Sequence, residues 1–361
     1  MNRPGRFLVV TWDGGGNTPS AYNLSARLAD RGHEVLLLGW ESMTERAAAS
    51  DVRFRPYPSV PPLPAGVPHE TVWDALTDAL WGDACRGDIV AAAQDLDADV
   101  LVVDCMMRAG FDAARELRLP TAALVHVSYE QFAHGWGSLA METDVFTMLA
   151  QADCALALQP PGFDPPCALA DGTIYVGAVL APKRPPLDVR IERLLKAPGD
   201  PWVLLSLSTT SQAGQSQALA AVLDELADEP VRVLLTLGGA VAPGELALPG
   251  NVMAIGFTPH EQLLPHVDAV VCHAGMSTIA MALGVGRPLV CLPQGRDQHD
   301  NATRVVDSGA GLLAAPGGAA AALRAVLEQE QYRLAAGAFA RACAPLGEGA
   351  VAADLVEALH R

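Results

Sequence analysis

The sequence has little positive charge and no long apolar run. Lysine occurs only at Lys183 and Lys196, and the 361 residues carry a formal net charge of −17. Because binding to the phosphate backbone of a nucleic acid needs a basic surface, this charge argues against nucleic acid as a partner. No uninterrupted apolar run reaches the length of a membrane span, and the first run, residues 7–10, is too short for a secretory signal. We therefore expect neither nucleic acid nor a membrane as a partner.

Paired or clustered cysteines are also lacking. The seven cysteines lie at positions 85, 105, 154, 167, 272, 291 and 343, with no CxxC spacing. An odd, unpatterned set that lies partly within apolar runs is typical of reduced, buried thiols. The sequence therefore predicts a cytoplasmic protein.

Short apolar runs alternate with helical patterns through both halves of the chain. The runs lie at residues 7–11, 35–38, 100–103, 122–125, 154–158, 202–207, 231–237, 252–255, 269–272 and 288–292. Such alternation predicts an α/β protein with doubly wound parallel sheets. Residues 183–200, rich in proline and mixed charge, are typical of a linker. We expect two Rossmann-like domains, residues 1–182 and 201–345, facing each other across a cleft.

A histidine and a turn of small residues follow the apolar run that ends at residue 272. His273 comes first, Gly275 allows close approach to the backbone, and Ser277 and Thr278 can cap a helix. A helix that begins there directs its free N–H groups and its positive dipole end at an anion. The segment therefore predicts a site for a nucleoside diphosphate.

A second polar pair follows the next apolar run. Asp297 and Gln298 come shortly after residues 288–292, at the edge where open α/β sheets bind ligands. As a whole, residues 273–305 resemble the signature of inverting, nucleotide-sugar-dependent glycosyltransferases of family 1 (UDP-glycosyltransferase-like), in particular the bacterial branch that modifies natural products. The matching positions are His273, Gly275, Ser277, Thr278, Gly286, Pro288, Pro293, Asp297, Gln298, Asn301, Arg304 and Val305.

The resemblance implies a GT-B fold and a division of labour between the domains. Residues 1–182 would bind the acceptor, residues 201–345 the nucleotide sugar, and a helix in residues 346–361 would pack back on the first domain. The implied reaction moves a sugar from a dTDP- or UDP-sugar to a small aromatic or polyketide acceptor, through oxygen or carbon. It needs no cofactor and no metal, and the protein could form a homodimer.

The resemblance also assigns roles on the donor side. An aromatic element would stack on the base, the phosphates would meet a threonine and the turn after residue 272, and a polar pair would hold the sugar hydroxyls. The element that would stack on the base comprises Phe257, Thr258 and Pro259. The residues that would contact the phosphates are Thr209, His273, Gly275, Met276, Ser277 and Thr278. The polar pair is Asp297 and Gln298. Met281 stands where many relatives carry a glutamate that binds the ribose hydroxyls. Losing that acceptor costs little for a 2′-deoxyribose, which favours dTDP over UDP.

The amino-terminal loop departs from the family pattern. Its sequence GGGNTP does not form the dinucleotide motif GxGxxG, because Pro19 stands where the third glycine belongs. Relatives carry GHxxP in this loop, and their histidine deprotonates the acceptor. When the two patterns are aligned on Pro19, that position is Gly16, so the usual base is missing.

Three residues are candidates for the missing base. Asp13, beside three glycines, is our first choice, since a carboxylate can act as a base where burial raises its pKa. Asp104 matches the family's aspartate that orients the histidine, and it could instead cap a helix. His126 ends the run at 122–125. An acceptor that ionises readily would need no base at all.

Aromatic and sulfur side chains concentrate in the first half of the chain. Flat, apolar acceptors suit walls of this kind, although any one of these residues could belong to the core. The predicted acceptor-binding residues are Trp12, Met106, Phe132 and Trp136.

Three alternatives to a glycosyltransferase remain at this stage. The first is an ordinary strand–helix–strand unit with a buried histidine. The second is a nucleotide-sugar 2-epimerase, which would need several acidic groups around the sugar ring. The third is a non-catalytic protein that resembles a glycosyltransferase and activates a partner enzyme.

Overall fold

The computed structural model describes residues 3–61, 73–130, 145–207, 215–237, 246–256 and 258–360. Four of the predicted site residues, Thr209, Phe257, Phe132 and Trp136, lie outside the described residues. The chain divides into two compact units. The first comprises Met1–Gln159, Pro166–Pro182 and Leu346–Arg361, and the second comprises Pro160–Pro165 and Lys183–Pro345.

A parallel sheet forms the centre of the first unit. Its strands are β1 (Arg6–Val10), β2 (Glu34–Gly39), β3 (Phe54–Pro56), β4 (Val100–Asp104), β5 (Thr121–Val125), β6 (Cys154–Ala157) and β7 (Thr173–Tyr175). They are arranged in the order β3-β2-β1-β4-β5-β6-β7. Every residue of β4 and β5 is buried, as expected for strands covered on both faces. The strand order reverses between β1 and β4, which is where sheets of this kind bind ligands.

The second unit repeats this arrangement. Its strands are β8 (Trp202–Ser206), β9 (Arg232–Thr236), β10 (Val252–Ile255), β11 (Ala269–Cys272), β12 (Leu289–Cys291) and β13 (Gly311–Leu313). All pair in parallel, in the order β10-β9-β8-β11-β12-β13. The reversal of strand order now lies between β8 and β11. Any polar residue that directly follows β11 therefore stands at the second binding edge.

Helices connect the strands in both units. Those in the described residues are α1 (Thr18–Asp30), α2 (Thr44–Ala49), α3 (Trp73–Trp81), α4 (Asp83–Leu96), α5 (Arg108–Leu117), α6 (Val145–Leu149), α7 (Val189–Lys196), α8 (Gln215–Leu226), α9 (His260–Leu263), α10 (Met276–Gly284), α11 (Gln298–Asp307), α12 (Ala319–Glu328), α13 (Glu330–Cys343) and α14 (Ala350–Ala358). Among the described residues, no helix is long and apolar enough to cross a membrane.

The last helix, α14, packs within the first unit. Ala353 and Val356 are fully buried in one apolar cluster with Leu28 of α1. At the end of α1, Arg31 forms an ion pair with Glu357 at 2.8 Å. Apolar burial and charge pairing thus attach the end of the chain to the unit that contains its beginning.

The segment expected to be a linker, residues 183–200, belongs to the second unit and contains α7. Asp188 caps this helix by accepting hydrogen bonds from the N–H groups of Arg190 and Ile191. The prolines of the segment lie outside α7, and Ala197, which precedes one of them, is extended. The proline content of this segment led us to predict a linker. In the structure the prolines instead flank a short helix.

Candidate functional site

A buried carboxylate is the centre of the candidate site in the first unit. Asp104, the last residue of β4, has a side chain only 2% exposed. Its Oδ2 accepts hydrogen bonds from the Thr11 hydroxyl at 3.1 Å and the Asn17 amide at 2.8 Å. Its Oδ1 accepts one from the N–H of Met106 at 3.1 Å and lies 3.1 Å from Nε2 of His126. The carboxylate is therefore fixed from four directions.

Strand register explains why Asp104 and His126 meet. Asp104 pairs with Leu124 across the β4–β5 ladder. His126 lies two residues beyond Leu124, and side chains two apart on a strand point to the same face. The two side chains are thus diagonal neighbours at the carboxyl edge of the sheet.

The Asp104–His126 pair is charged. Burial acts to raise the pKa of Asp104, but His126 and the hydrogen bond from Asn17 outweigh it and hold the pKa below its ordinary value. Burial acts to lower the pKa of His126, but the Asp104 carboxylate outweighs it and raises the pKa well above its ordinary value. A carboxylate held in this state orients the imidazole and is a poor proton acceptor itself.

Asp13, our first choice for the base, is not part of this cluster. Its side chain is partly exposed and accepts a hydrogen bond from the Ser42 hydroxyl at 2.7 Å. The residue of this loop that reaches Asp104 is Asn17, whose amide also bonds the carbonyl of Trp12 at 2.8 Å. Asn17 stands at the N-cap of α1 but makes no capping bond. Sequence analysis assigned Asn17 no role, because its contact with Asp104 is formed only by the fold.

Two of the predicted acceptor-binding residues lie in the core. Trp12 and Met106 are each 5% exposed and belong to the main apolar cluster of the first unit. The Trp12 ring packs edge to face on Trp40, with centroids 5.5 Å apart. The Met106 carbonyl accepts a hydrogen bond from the Trp81 indole at 2.9 Å. The structure therefore supports the alternative interpretation for these two residues, that they pack in the core.

The second unit presents a histidine at the start of a helix. His273 follows β11, Ala274 adopts the left-handed conformation (φ 65°), and α10 begins at Met276 with Gly275 as its N-cap. The imidazole packs against Gly275, because a Cβ added there would lie 2.5 Å from Nε2 of His273. The Nδ1 atom of His273 is buried and has no hydrogen-bond partner in the described part of the chain.

The His273 imidazole is neutral at ordinary pH, because burial lowers its pKa to about 4. A neutral imidazole donates one N–H and so can bind an anionic oxygen. The first N–H groups of α10 lie beside it, with Ser277 partly buried and Thr278 buried in the first turn. The side chain of Met276 packs in the apolar core of the second unit and is 5% exposed.

Asp297 and Gln298 lie at the same edge of the second sheet, at the start of α11. The Asn301 amide donates to the Asp297 carboxylate at 2.8 Å and to the carbonyl of Ala274 at 3.1 Å. Gln298 accepts a hydrogen bond from the N–H of Gln294 at 2.8 Å and is 3% exposed. Asn301, which matched the motif without an assigned role, therefore ties the Asp297–Gln298 loop to the turn that carries His273.

Thr258 and Pro259 directly precede α9, and both are partly buried. The next residue, His260, lies with Nε2 3.3 Å from the hydroxyl of Thr236, which ends β9. Burial lowers the pKa of His260 to about 4. Sequence analysis assigned no role to the side chain of His260.

Comparison with known proteins agrees with this geometry. Residues 220–357 match the family model described as erythromycin biosynthesis protein CIII-like, C-terminal domain. Demethyllactenocin mycarosyltransferase of Streptomyces fradiae is 32% identical over 167 residues, which cover 45% of this chain and 36% of the relative. The 4'-demethylrebeccamycin synthase of Lentzea aerocolonigenes is 35% identical over 167 residues, or 45% of this chain and 39% of the relative. The matched segments thus span less than two fifths of either relative.

Solved structures match over nearly the whole chain. The calicheamicin glycosyltransferase CalG4 has a TM-score of 0.77 at 22% identity, covering 99% of this chain and 98% of its own. The glycosyltransferase VinC in complex with dTDP has a TM-score of 0.72 at 20% identity, covering 99% and 100%. The fold class is therefore GT-B, as predicted. Within that class, residues 220–357 are similar to the C-terminal domain of the erythromycin biosynthesis protein CIII-like family.

Proposed function

We propose that this protein is an inverting glycosyltransferase. It transfers a sugar from a nucleoside diphosphate, preferably dTDP, to the oxygen or carbon of a small aromatic or polyketide acceptor. The observation that carries the proposal is the edge of the second sheet, where a neutral histidine, a close-packed glycine and a helix start meet beside Asp297 and Gln298. None of the seven cysteines forms a disulfide in the described residues, which supports a reducing, cytoplasmic location.

On the donor side, the residues beside β11 receive the diphosphate. His273 donates an N–H to a phosphate oxygen, and the free N–H groups of α10 add to it. As the sugar leaves, negative charge grows on the diphosphate, so these donors act most strongly in the transition state. Asp297 and Gln298 bond the sugar hydroxyls. The solved structures of VinC and SsfS6 with thymidine diphosphate support a thymidine donor.

On the acceptor side, we assign the base to His126 in place of Asp13. Support comes from its contact with the buried carboxylate of Asp104, which holds Nε2 of the ring at 3.1 Å. Because Asp104 raises the pKa of His126, the base is the fraction of the protein in which the imidazole has lost its proton, and transfer should become faster as the pH rises. In that fraction the imidazole takes the acceptor proton as the new glycosidic bond forms and the bond to the diphosphate breaks. Asp104 then stabilises the imidazolium that results, as a buried aspartate does in hydrolytic triads.

An assay with the protein alone tests the proposed function. The purified chain is incubated with dTDP-sugars and a panel of aromatic polyketide aglycones, and products are identified by mass spectrometry. We expect glycosylated aglycone and free dTDP. Binding of dTDP without transfer would instead favour the non-catalytic helper, and a change at C2 of the sugar without acceptor would favour the epimerase.

Nucleotide preference is a second expected result. Met281, in α10, offers no acceptor for a ribose 2′-hydroxyl, so dTDP should bind at least as tightly as UDP. Met281→Glu should shift the preference toward UDP, as measured by calorimetry. Val306→Glu, which adds a carboxylate at an exposed position of α11, is the matched control and should change neither affinity. Tighter binding of UDP to the wild type by about tenfold, about 1.4 kcal/mol, would contradict this assignment.

A further inference from the structure

Three different metal-ligating side chains meet at the carboxyl edge of the first sheet. A carboxylate oxygen of Asp104, the sulfur of Cys105 and a ring nitrogen of His126 all lie within 4.8 Å of one another. Within the described residues, no other group of three or more His, Cys, Asp or Glu side chains has its ligand atoms this close together. We propose that Asp104, Cys105 and His126 form a site for a thiophilic divalent cation, Zn²⁺ above all.

The donor set and its spacing suit zinc. Imidazole nitrogen, thiolate sulfur and carboxylate oxygen are its usual protein ligands, and tetrahedral bonds of about 2.0–2.3 Å place donor atoms roughly 3.3–3.6 Å apart. The Nε2 atom of His126 and Oδ1 of Asp104 are already 3.1 Å apart. An ion can therefore replace the hydrogen bond between these two atoms if they move apart by a few tenths of an ångström, on the order of what these bond lengths require. The sulfur of Cys105, which lies within 4.8 Å of both, completes the ligand set by moving closer. A bound cation displaces the thiol proton of Cys105.

The ligands are held by rigid structure around them. Thr11 and Asn17 hold Oδ2 of Asp104, as hydrogen-bond partners outside a metal site commonly do for its carboxylates. Cys105 continues the β4–β5 ladder, since its N–H bonds the carbonyl of Leu124 at 3.0 Å. His126 directly follows β5. Positions on strand ends keep ligands in place better than positions on long loops.

Burial gives the ion one direction of approach. The side chain of Asp104 is 2% exposed and Cys105 is fully buried, whereas the His126 side chain is 13% exposed. The ion enters from the imidazole side, where three protein ligands leave its fourth position to water. Because the ion occupies the imidazole, it should inhibit transfer, and this consequence alone rests on the proposed function.

Cobalt titration of the metal-free protein tests the site without any substrate. With a phosphine reductant present, equimolar Co²⁺ should produce a thiolate-to-cobalt absorption band, and Zn²⁺ should remove it. Cys105→Ser and Cys105→Ala should lose the band. Cys85→Ala is the matched control, because Cys85 is buried in the same apolar cluster, and it should keep the band. Asn17→Ala should weaken zinc affinity by roughly 10–100-fold, the usual effect of removing such an outer partner.

The outcomes separate the metal site from the proposed function. Absence of the band in the wild type, or its persistence in a folded Cys105→Ala protein, would overturn the site whatever the activity. Circular dichroism checks the fold of each variant. If Cys105→Ala does not fold, the nearly isosteric Cys105→Ser takes its place in the same test. Zinc should inhibit wild-type transfer over the concentrations at which it binds, and Cys105→Ser should resist. Binding without inhibition would support the site and refute the assignment of His126 as base.

Discussion

Replacing His126 with glutamine should lower the rate of transfer by roughly 10²–10⁴-fold, the usual contribution of a general base. Glutamine keeps a polar group beside Asp104 but cannot take up the acceptor proton. Single-turnover rates at saturating dTDP-sugar measure the loss. Affinity for dTDP, measured by calorimetry, should stay near wild type, because His126 belongs to the first unit and the nucleotide site is assigned to the second.

Two aspartate variants make this prediction specific. Asp13→Asn should remain close to wild type, since Asp13 is partly exposed and bonded to Ser42. Asp104→Asn should lower the rate, because it removes the charge that stabilises the imidazolium, and thermal unfolding would show how far it also weakens the loop held by Asn17. An inactive Asp13→Asn with an active His126→Gln would return the role to Asp13. If all three variants stay active, the acceptor ionises without help.

The fold could be predicted from the sequence wherever strands are buried on both faces. Each of the ten apolar runs corresponds to a strand, within two residues at either end. The described strands that were not predicted are β3, β7 and β13, which form both edges of the first sheet and one edge of the second. Each has three residues, and their burial is mostly partial. An edge strand is covered less and so needs no continuous apolar run.

The residues assigned to the donor side could be selected from the sequence because most of them lie in one short segment. His273, Gly275 and the Asp297–Gln298 pair occur within 26 residues, so that spacing alone carries the pattern. The Asp104–His126 contact depends instead on the register of two strands. No spacing along the chain encodes that register. For the same reason Asn17 was missed, because its partner lies 87 positions away.

The acceptor side was the least predictable. Trp12 and Met106 were selected as apolar residues outside the strands, yet both are buried in the core. Large apolar side chains occupy cores and ligand walls alike, and composition cannot separate the two. Asp13 was favoured because glycines surround it, but the register of β4 and β5 decides which polar groups meet.

His273→Ala is the second variant expected to have a large effect, a loss of transfer of roughly 10²–10³-fold, the scale for removing one preorganised donor to a developing anion. The rate should fall more than the affinity for dTDP, because charge on the diphosphate increases only as the sugar leaves. Transfer rates and calorimetry with dTDP measure the two effects separately.

The variant should fold, which makes the loss attributable to binding of the diphosphate. Nδ1 of His273 makes no hydrogen bond of ordinary geometry in the described residues, although the backbone of Ser206 lies close enough to act on the pKa of the ring, so circular dichroism should confirm that the variant keeps its fold. His266→Ala is the matched control: His266 lies in the same unit, in the short turn after α9, near Glu192 of α7. It should keep wild-type transfer and dTDP affinity. Wild-type turnover in His273→Ala would refute the role of this histidine in diphosphate binding. The N-terminus of α10 would then be the remaining evidence for the diphosphate site.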